Sequence, residues 1–474
     1  MVTRHIIIQL YHFTPIVSTE NKKFTNEAFN MIFTKDRKFY SSLLHLAVPM
    51  AIGNLVTFLI TLTDSIAVGK IGDTATASVF VGGLVATALQ MFIAGIEGGV
   101  TVGISQYWGK GEGEPIKRIF SIGTILIFLF GVLLALLCFF FPEKISSLLG
   151  RGDGGTEYLR LLSFSFPLYA LSGAIGAALR GVEAPTVVTI ASFTAFVINL
   201  FFDVLLIFGK LGFTKMGISG AAIATVIARG AELLILALYL FIKDKRINLR
   251  ARELLKLDGR ISLDFFRYTS PIVLGQLVWI FNTFFSSYVF SSFGSDAVIT
   301  GLSVANTLNA LSYVVMNGLS GAVGIIIGKA VGEGDRKKLR PYAYTTEIIF
   351  IILGILTSAT LLLVKNPFVS LYNISEQAAD VAKSLITVLA FTVIGTSYQA
   401  ACLLGIVRGG GDTSFILKND TFFIFLAVIP LTVSALKLGA PLWVVFLALK
   451  SDQLLKCIPA AIKINRFHWA RDLT

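Results

Sequence analysis

Two polar side chains stand four residues apart in a stretch that is otherwise apolar or small: Asn199 and Asp203, within the run from Ala195 to Gly209. On a helix, positions i and i+4 share one face. A carboxylate so placed has no water of its own, and a charge in hydrocarbon is expensive, so Asp203 is expected to be paired, protonated or bound to a cation. Asn199 offers a carbonyl oxygen and an amide donor within one turn to manage that state. An earlier apolar run carries Asn54, Thr57, Thr61 and Asp64 at i, i+3, i+7 and i+10, again on a single face. At a rise of 1.5 Å per residue, Asp64 lies about 28 Å and Asp203 about 24 Å along helices that enter from the same side, so the two acids reach comparable depth. If the first and fifth helices are neighbours, the two can share one proton or one cation. Reversible binding of a proton or ion is the chemistry these residues offer. The plainer alternative is a carboxylate that caps a helix end or pairs with a structural cation.

Other polar positions fall into stripes. Gln90, Glu97 and Thr101 share a face of the second apolar run beside Gly95, Gly98 and Gly99, so Glu97 either lines a cavity or makes an interhelical bond worth about 0.6 kcal/mol. Arg229 and Glu232, at i and i+3, are expected to neutralise each other. In the second half Asn306, Asn309, Tyr313 and Asn317 form one polar, uncharged stripe, Gln276 and Asn282 lie on the preceding helix, and Tyr398 and Gln399 lie on the tenth. With Asn54, Thr61, Gln90 and Glu97, these are the candidates for the wall of a substrate cavity. No acid sits centrally in the seventh, eighth or tenth run, which concentrates the expected charge chemistry in the first half.

The elements that must position these residues follow from composition. The chain has 474 residues, 55% hydrophobic and only 14% charged, with mean hydropathy +0.79, too apolar for a soluble protein of this size. Twelve apolar runs have the length that crosses about 30 Å of hydrocarbon: 45–69, 78–107, 119–141, 160–180, 187–208, 217–242, 269–291, 297–328, 343–364, 384–407, 419–438 and 441–462. The fold class is therefore all-α, a polytopic membrane protein. The net charge of +12 is spread over loops. With both termini inside, the inner segments hold 28 of the 40 basic residues and the outer loops 7. That asymmetry predicts cytoplasmic N and C termini and argues against nucleic acid as a partner. The first 39 residues have no long apolar core or cleavage site and are expected to form a cytoplasmic tail, with an interfacial helix from about Phe33 to Ser42. Cys138, Cys402 and Cys457 sit in apolar runs, odd in number, and point to packing, not to a disulfide framework or metal site.

The chain repeats itself. Pro49-Met-Ala-Ile-Gly53 recurs as Pro271-Ile-Val-Leu-Gly275, Gly111-Glu-Gly113 as Gly332-Glu-Gly334, and Leu179-Arg180-Gly181 as Val407-Arg408-Gly409. Two six-helix lobes follow, 40–242 and 264–462, joined by a cytoplasmic linker over 243–263 and followed by a tail over 463–474. Six helices per lobe give parallel repeats about an axis along the membrane normal, whose interface holds a central cavity. Leu249, Leu254, Leu255 and Leu257 among basic residues give the linker the periodicity of a short amphipathic helix, although such a loop is more often only a tether.

These features resemble the multidrug and toxic compound extrusion (MATE) family of secondary transporters, in its prokaryotic branch related to the DNA-damage-inducible protein. The resemblance rests on the double repeat, on Pro49 with Thr63-Asp64-Ser65-Ile66-Ala67-Val68-Gly69, on Asn199 to Gly209, on Gly220-Ala-Ala-Ile-Ala-Thr225 and on the Arg180 and Arg408 loops. It implies two lobes in a V in the plasma (inner) membrane and antiport of protons or sodium against organic, often cationic, solutes. The implied cation site is Asp64, Asn199, Asp203 and Thr225. The acids of helices seven and ten on which other branches rely are missing here. The partners so implied are small organic solutes and the bilayer, the chain acting as a monomer, without cofactor, metal other than sodium, or enzymatic activity. Two rivals stay open. A flippase for lipid-linked sugars on the same fold would need cationic groups in the cavity, whereas the central ionisable groups here read as mainly acidic. An intramembrane aspartyl protease is suggested only by Gly409-Gly-Gly411-Asp412, whose repeat mate Arg180-Gly-Val-Glu183 makes it a turn. No nucleotide-binding motif is present.

Overall fold

The computed structural model describes residues 34–69, 73–148, 155–254 and 256–474, and within them all side chains except those of 61, 64–69, 73–81 and 251. The described residues are helical, apart from turns and one isolated bridge between Gly411 and Ala470. Among the described residues, eleven helices are long and apolar enough to cross a membrane. In chain order they are α1 (Arg37–Gly69), α2 (Asp73–Lys110), α3 (Gly113–Phe140), α4 (Thr156–Gly181), α5 (Pro185–Phe208), α6 (Ile218–Lys243), α7 (Gly259–Ser291), α8 (Asp296–Gly332), α9 (Arg336–Val369), α10 (Glu376–Val407) and α11 (Thr413–Lys437). The twelfth, α12, comes in three pieces, Leu442–Leu449, Asp452–Leu455 and Cys457–Asn465. Lys450 and Ser451 interrupt its apolar run, and Pro459 can donate no helical hydrogen bond. Helix α4 breaks likewise at Ser163 and Phe164, just before Pro167.

Helices α1 and α5 touch where the Thr189 hydroxyl donates to the Pro49 carbonyl at 2.7 Å. Helix α6 packs antiparallel to α5 so closely that a Cβ on Gly220 would stand 2.7 Å from the Leu206 carbonyl carbon. Gly209 closes α5 in the left-handed region, φ 68°, the conformation glycine adopts without penalty. The interior of the first lobe is built mainly from α2, α3 and α4, around Ile93, Ile104, Phe120 and Phe166. Helix α1 spans both lobes. Its first turns bury Phe39, Leu43 and Leu46 in the core of the second lobe with Ala322, Ile325 and Phe350, while Pro49 meets α5 of the first.

The lobes meet at the end of the bundle that carries residue 34, the linker and the C-terminal segment. There α2 and α8 cross through reciprocal glycines: a Cβ on Gly109 would stand 2.1 Å from the Lys329 carbonyl oxygen, and one on Gly332 would stand 1.9 Å from that of Gln106. The Lys329 ammonium pairs with Glu183 at 2.8 Å. The C-terminal segment lies across the same seam. Gln106 Nε2 donates to the carbonyls of Gly409 and Arg471 at 3.3 Å, and its Oε1 accepts from the Leu473 amide at 2.9 Å.

Two local expectations are corrected. Among the described residues, Arg37 to Ser42 are the first turns of α1, not a separate interfacial helix, and Phe33 lies outside the described residues, as does the tail before it. The linker is not an amphipathic helix. It contains one short turn at Ala251–Glu253, because Asp244 caps the amides of Ile247 and Asn248, and Glu253 takes the Arg250 amide. Leu249 turns into the first-lobe core while Leu257 is exposed.

Candidate substrate cavity and ion site

Helix α5 separates its faces sharply. Leu200, Phe201 and Val204 are exposed, while Ala195, Asn199, Asp203 and Leu206 are buried, Asn199 at 2% and Asp203 at 3% exposure. The i, i+4 spacing thus turns the amide and the carboxylate inward together. Both polar atoms of the Asn199 amide lack a hydrogen-bond partner among the described residues, an expensive arrangement for a buried amide. Asp64 belongs to α1, with its side chain outside the described set. The helix register nonetheless sets its level. Pro49 meets Thr189, and Asp64 and Asp203 follow 15 and 14 residues further along two helices that start from the same end. Thr225 is carried by α6, and its hydroxyl donates to the Ala221 carbonyl at 3.0 Å.

A cavity of about 1100 Å³ lies between the lobes. Its wall takes Asn54 and Thr57 from α1, Glu97 from α2, Tyr169 and Arg180 from α4, Thr189 and Ser192 from α5, Arg229 and Glu232 from α6, and Asn306, Tyr313 and Asn317 from α8. Asn199 and Asp203 lie beyond this wall, further along the helix that contributes Thr189 and Ser192. One helix of the first lobe therefore connects the chamber between the lobes to a buried polar site.

The charges on the wall are paired. Arg180 holds Glu97 at 2.8 Å, and Arg229 holds Glu232 at 2.7 Å. Ser192 donates to Glu232 at 2.6 Å, and the Arg229 guanidinium stacks over the Tyr169 ring at 4.9 Å. This corrects the expectation of a mainly acidic cavity, since each described acid on the wall has a basic partner. Spacing could reveal the Arg229–Glu232 pair, but Glu97 and Arg180 are 83 residues apart and only packing joins them. A smaller pocket of about 180 Å³ adjoins the chamber, lined by Glu97, Arg180 and Arg408, so the repeat-related arginines of the two lobes converge on it.

The predicted cavity residues divide. Asn54 lies on the wall, and its amide donates to the Val314 carbonyl at 3.3 Å. Asn306, Tyr313 and Asn317 line the cavity, whereas Asn309 stands behind, hydrogen-bonded to Tyr313. Gln90 is half-buried off the wall, and Gln276 packs at the seam beside Gly95. Asn282 is buried inside the second lobe with its carbonyl oxygen unpartnered among the described residues. Tyr398 donates to Glu347 at 2.6 Å, and Gln399 donates to the carbonyls of Asp452 and Gln453. The two serve the interior of the second lobe. The Thr61 side chain is outside the described residues.

Charge in the second lobe is what sequence reasoning missed. Lys456 is fully buried between Asp420 at 2.8 Å and Asp452 at 2.9 Å, on α11 and α12. The Trp279 indole N–H of α7 donates to Asp420 at 3.3 Å, and its ring faces the ammonium at 5.0 Å. Asp452 and Lys456, at i and i+4, were a visible signal inside the last apolar run. Asp420 was masked by the polar Lys418-Asn419 before it. Asp412, by contrast, pairs with Lys463 and Arg471 where Gly411 turns at φ 88°, so the Gly-x-Gly-Asp match is a turn locked by two cations.

The MatE family model matches residues 49–205 and 271–433, one segment in each lobe. The chain is similar to the probable multidrug resistance protein NorM of Thermotoga maritima, 22% identical over 378 residues, which covers 78% of this chain and 80% of that one. It is also similar to the probable multidrug resistance protein YoeA of Bacillus subtilis, 26% identical over 361 residues, with coverage of 74% and 77%. In fold it resembles the MATE transporter VcmN of Vibrio cholerae, with a TM-score of 0.82 at 17% identity over 92% of this chain and 98% of that one. The family match falls on the same two six-helix repeats that build the chamber, and the chain belongs to the MatE family.

Proposed function

We propose that this protein is a multidrug efflux transporter of the plasma membrane that exports organic, often cationic, compounds in exchange for protons or sodium, by alternating access between its lobes. The observation that carries the coupling is the buried Asn199–Asp203 pair, on the same helix as the cavity residues Thr189 and Ser192 and level with Asp64 on α1. The names of the Thermotoga and Bacillus relatives support the substrate class.

With both termini cytoplasmic, the closed seam faces the cytoplasm and the chamber faces out. A proton arriving from outside neutralises Asp203 and Asp64 and lets α1 and α5 repack. Because α5 runs from the ion site into the wall, repacking reshapes the chamber and weakens its hold on the drug. Coupling requires that proton and drug each bind the two states with different affinity. The paired wall charges leave recognition to the Tyr169 and Tyr313 faces and the polar stripe of α8, which suit flat, lipophilic solutes. Two carboxylates, an amide oxygen and the Thr225 hydroxyl would also serve sodium.

Lipid flipping is the second reading, favoured by Arg180 and Arg229 on the wall and opposed by the glutamate that each one holds. Uptake of a fluorescent lipophilic cation into inside-out vesicles, under imposed proton or sodium gradients, tests the proposal in wild type, Asp203→Asn and Asp64→Asn. Gradient-driven accumulation lost in Asp203→Asn is the expected result. No accumulation under either gradient, with the protein inserted, would overturn it in favour of a lipid-linked or anionic substrate.

A further inference from the structure

The second lobe holds three charged side chains in its interior that the mechanism above does not use. Lys456 is completely buried, Asp452 is 2% and Asp420 6% exposed. With all three ionised the triad by itself carries one net negative charge, and Lys450 of α12, the further cation that faces it, makes no ion pair with either carboxylate. A buried ion pair roughly offsets its own desolvation, but a surplus charge does not. One proton on the carboxylate pair removes the surplus while Lys456 keeps the other carboxylate.

We propose that the Asp420–Lys456–Asp452 triad is a second proton-binding site of the transporter, taking up one proton on its two carboxylates and releasing it in the course of each cycle. No other bond changes. The proton enters from water on one side and leaves to water on the other, and the ammonium stays protonated throughout.

Three features of the surroundings suit this role. Helix α12 is interrupted on both sides of Asp452, at Lys450–Ser451 and at Lys456 itself, and broken spanning helices are where transporters place ion sites. The broken stretch is tied to the cavity wall: Gln453 Nε2 donates to the hydroxyl of Tyr313 at 3.4 Å, and Gln399 of α10 holds the carbonyls of Asp452 and Gln453. A change of charge at Asp452 therefore acts on a segment that touches the wall. Finally, Trp279 brings both a hydrogen bond to Asp420 and a ring to Lys456, so α7 also senses the protonation state. The other titratable or charged groups facing the triad are Lys450 and Cys457 of α12 and Tyr313 of α8, while α10 presents the neutral Gln399.

The inference deepens the antiport reading, and its test has one arm that needs no transport. In pH-difference infrared spectroscopy of the full-length protein in liposomes, the carboxylic-acid C=O stretch reports protonation directly. A component of the signal that persists in Asp64→Asn/Asp203→Asn and is lost on adding either Asp420→Asn or Asp452→Asn is expected. Each of those changes leaves Lys456 one carboxylate and a neutral pair, so the lobe keeps its fold. A difference spectrum that neither change alters would overturn the proposal, whatever drives transport. The second arm is steady-state accumulation of a lipophilic cation at clamped membrane potential. One proton fewer per cycle lowers it by about tenfold for a tenfold proton gradient in Asp420→Asn. Unchanged accumulation in that variant would count against the triad. Absence of proton-driven accumulation in wild type would instead defeat the antiport reading and leave the infrared result to decide.

Discussion

The hydroxyl of Thr189 on α5 donates to the carbonyl of Pro49 on α1 at 2.7 Å, and it also reaches its own helix at the Pro185 carbonyl at 3.2 Å. One side chain thus joins the two helices that carry Asp203 and Asp64, at a point where both helices line the cavity. Thr189→Val keeps the shape and removes the bond. The expected cost is about 1 kcal/mol of stability. In addition, drug binding should lose part of its pH dependence, read as dye affinity at two pH values.

Glu232 neutralises Arg229 on the cavity wall at 2.7 Å. Glu232→Gln leaves the guanidinium uncompensated, and at the high dielectric of a wet chamber this should weaken binding of a cationic dye by about 1 kcal/mol, roughly fivefold. The double variant Arg229→Gln/Glu232→Gln should restore affinity. Fluorescence titration of both variants checks this, and a loss that persists in the double variant would point to packing.

Asp36 lies just before α1, where the Tyr342 hydroxyl donates to it at 2.6 Å. That hydrogen bond, followed by the Lys38 amide and the nearby Lys338 charge, holds its pKa below the ordinary 3.8. A carboxylate with a lowered folded pKa contributes stability that is fully present above its unfolded pKa and is lost as pH falls through the folded one. Melting temperature should therefore fall more steeply below about pH 4 in wild type than in Asp36→Asn. Parallel acid limbs would show that the tie carries no stability.

Gln106 of α2 bonds to Gly409, Arg471 and Leu473 across the seam. Gln106→Ala removes three bonds that exist only while this end is closed, and so should favour the opposite state. Labelling of a cysteine at Ser105, fully buried against Gly328, should rise severalfold in the Gln106→Ala background. An unchanged rate would mean that the reciprocal glycine crossing alone keeps the seam shut.

Much of this protein was legible in its sequence, because a membrane restricts the options. Backbone groups in hydrocarbon must be satisfied within the helix, so apolar runs of sufficient length declare themselves as spans. Repeats declare the two lobes, and the i, i+4 spacing of Asn199 and Asp203 declares a shared face, which the exposure of Leu200, Phe201 and Val204 places on the opposite side from lipid. Properties that depend on distance along the chain were not legible. Glu97 meets Arg180, and Asp420 meets Lys456, only through helix packing, and each meeting changes the net charge of its surroundings. Composition counts charges but does not pair them. The start of α1 reads in the sequence as an interfacial helix ending a polar tail, because the sequence does not say whether its apolar residues meet lipid or a second lobe. Only the tertiary structure, by bringing Phe39 and Leu43 against α8, decided which surface they cover.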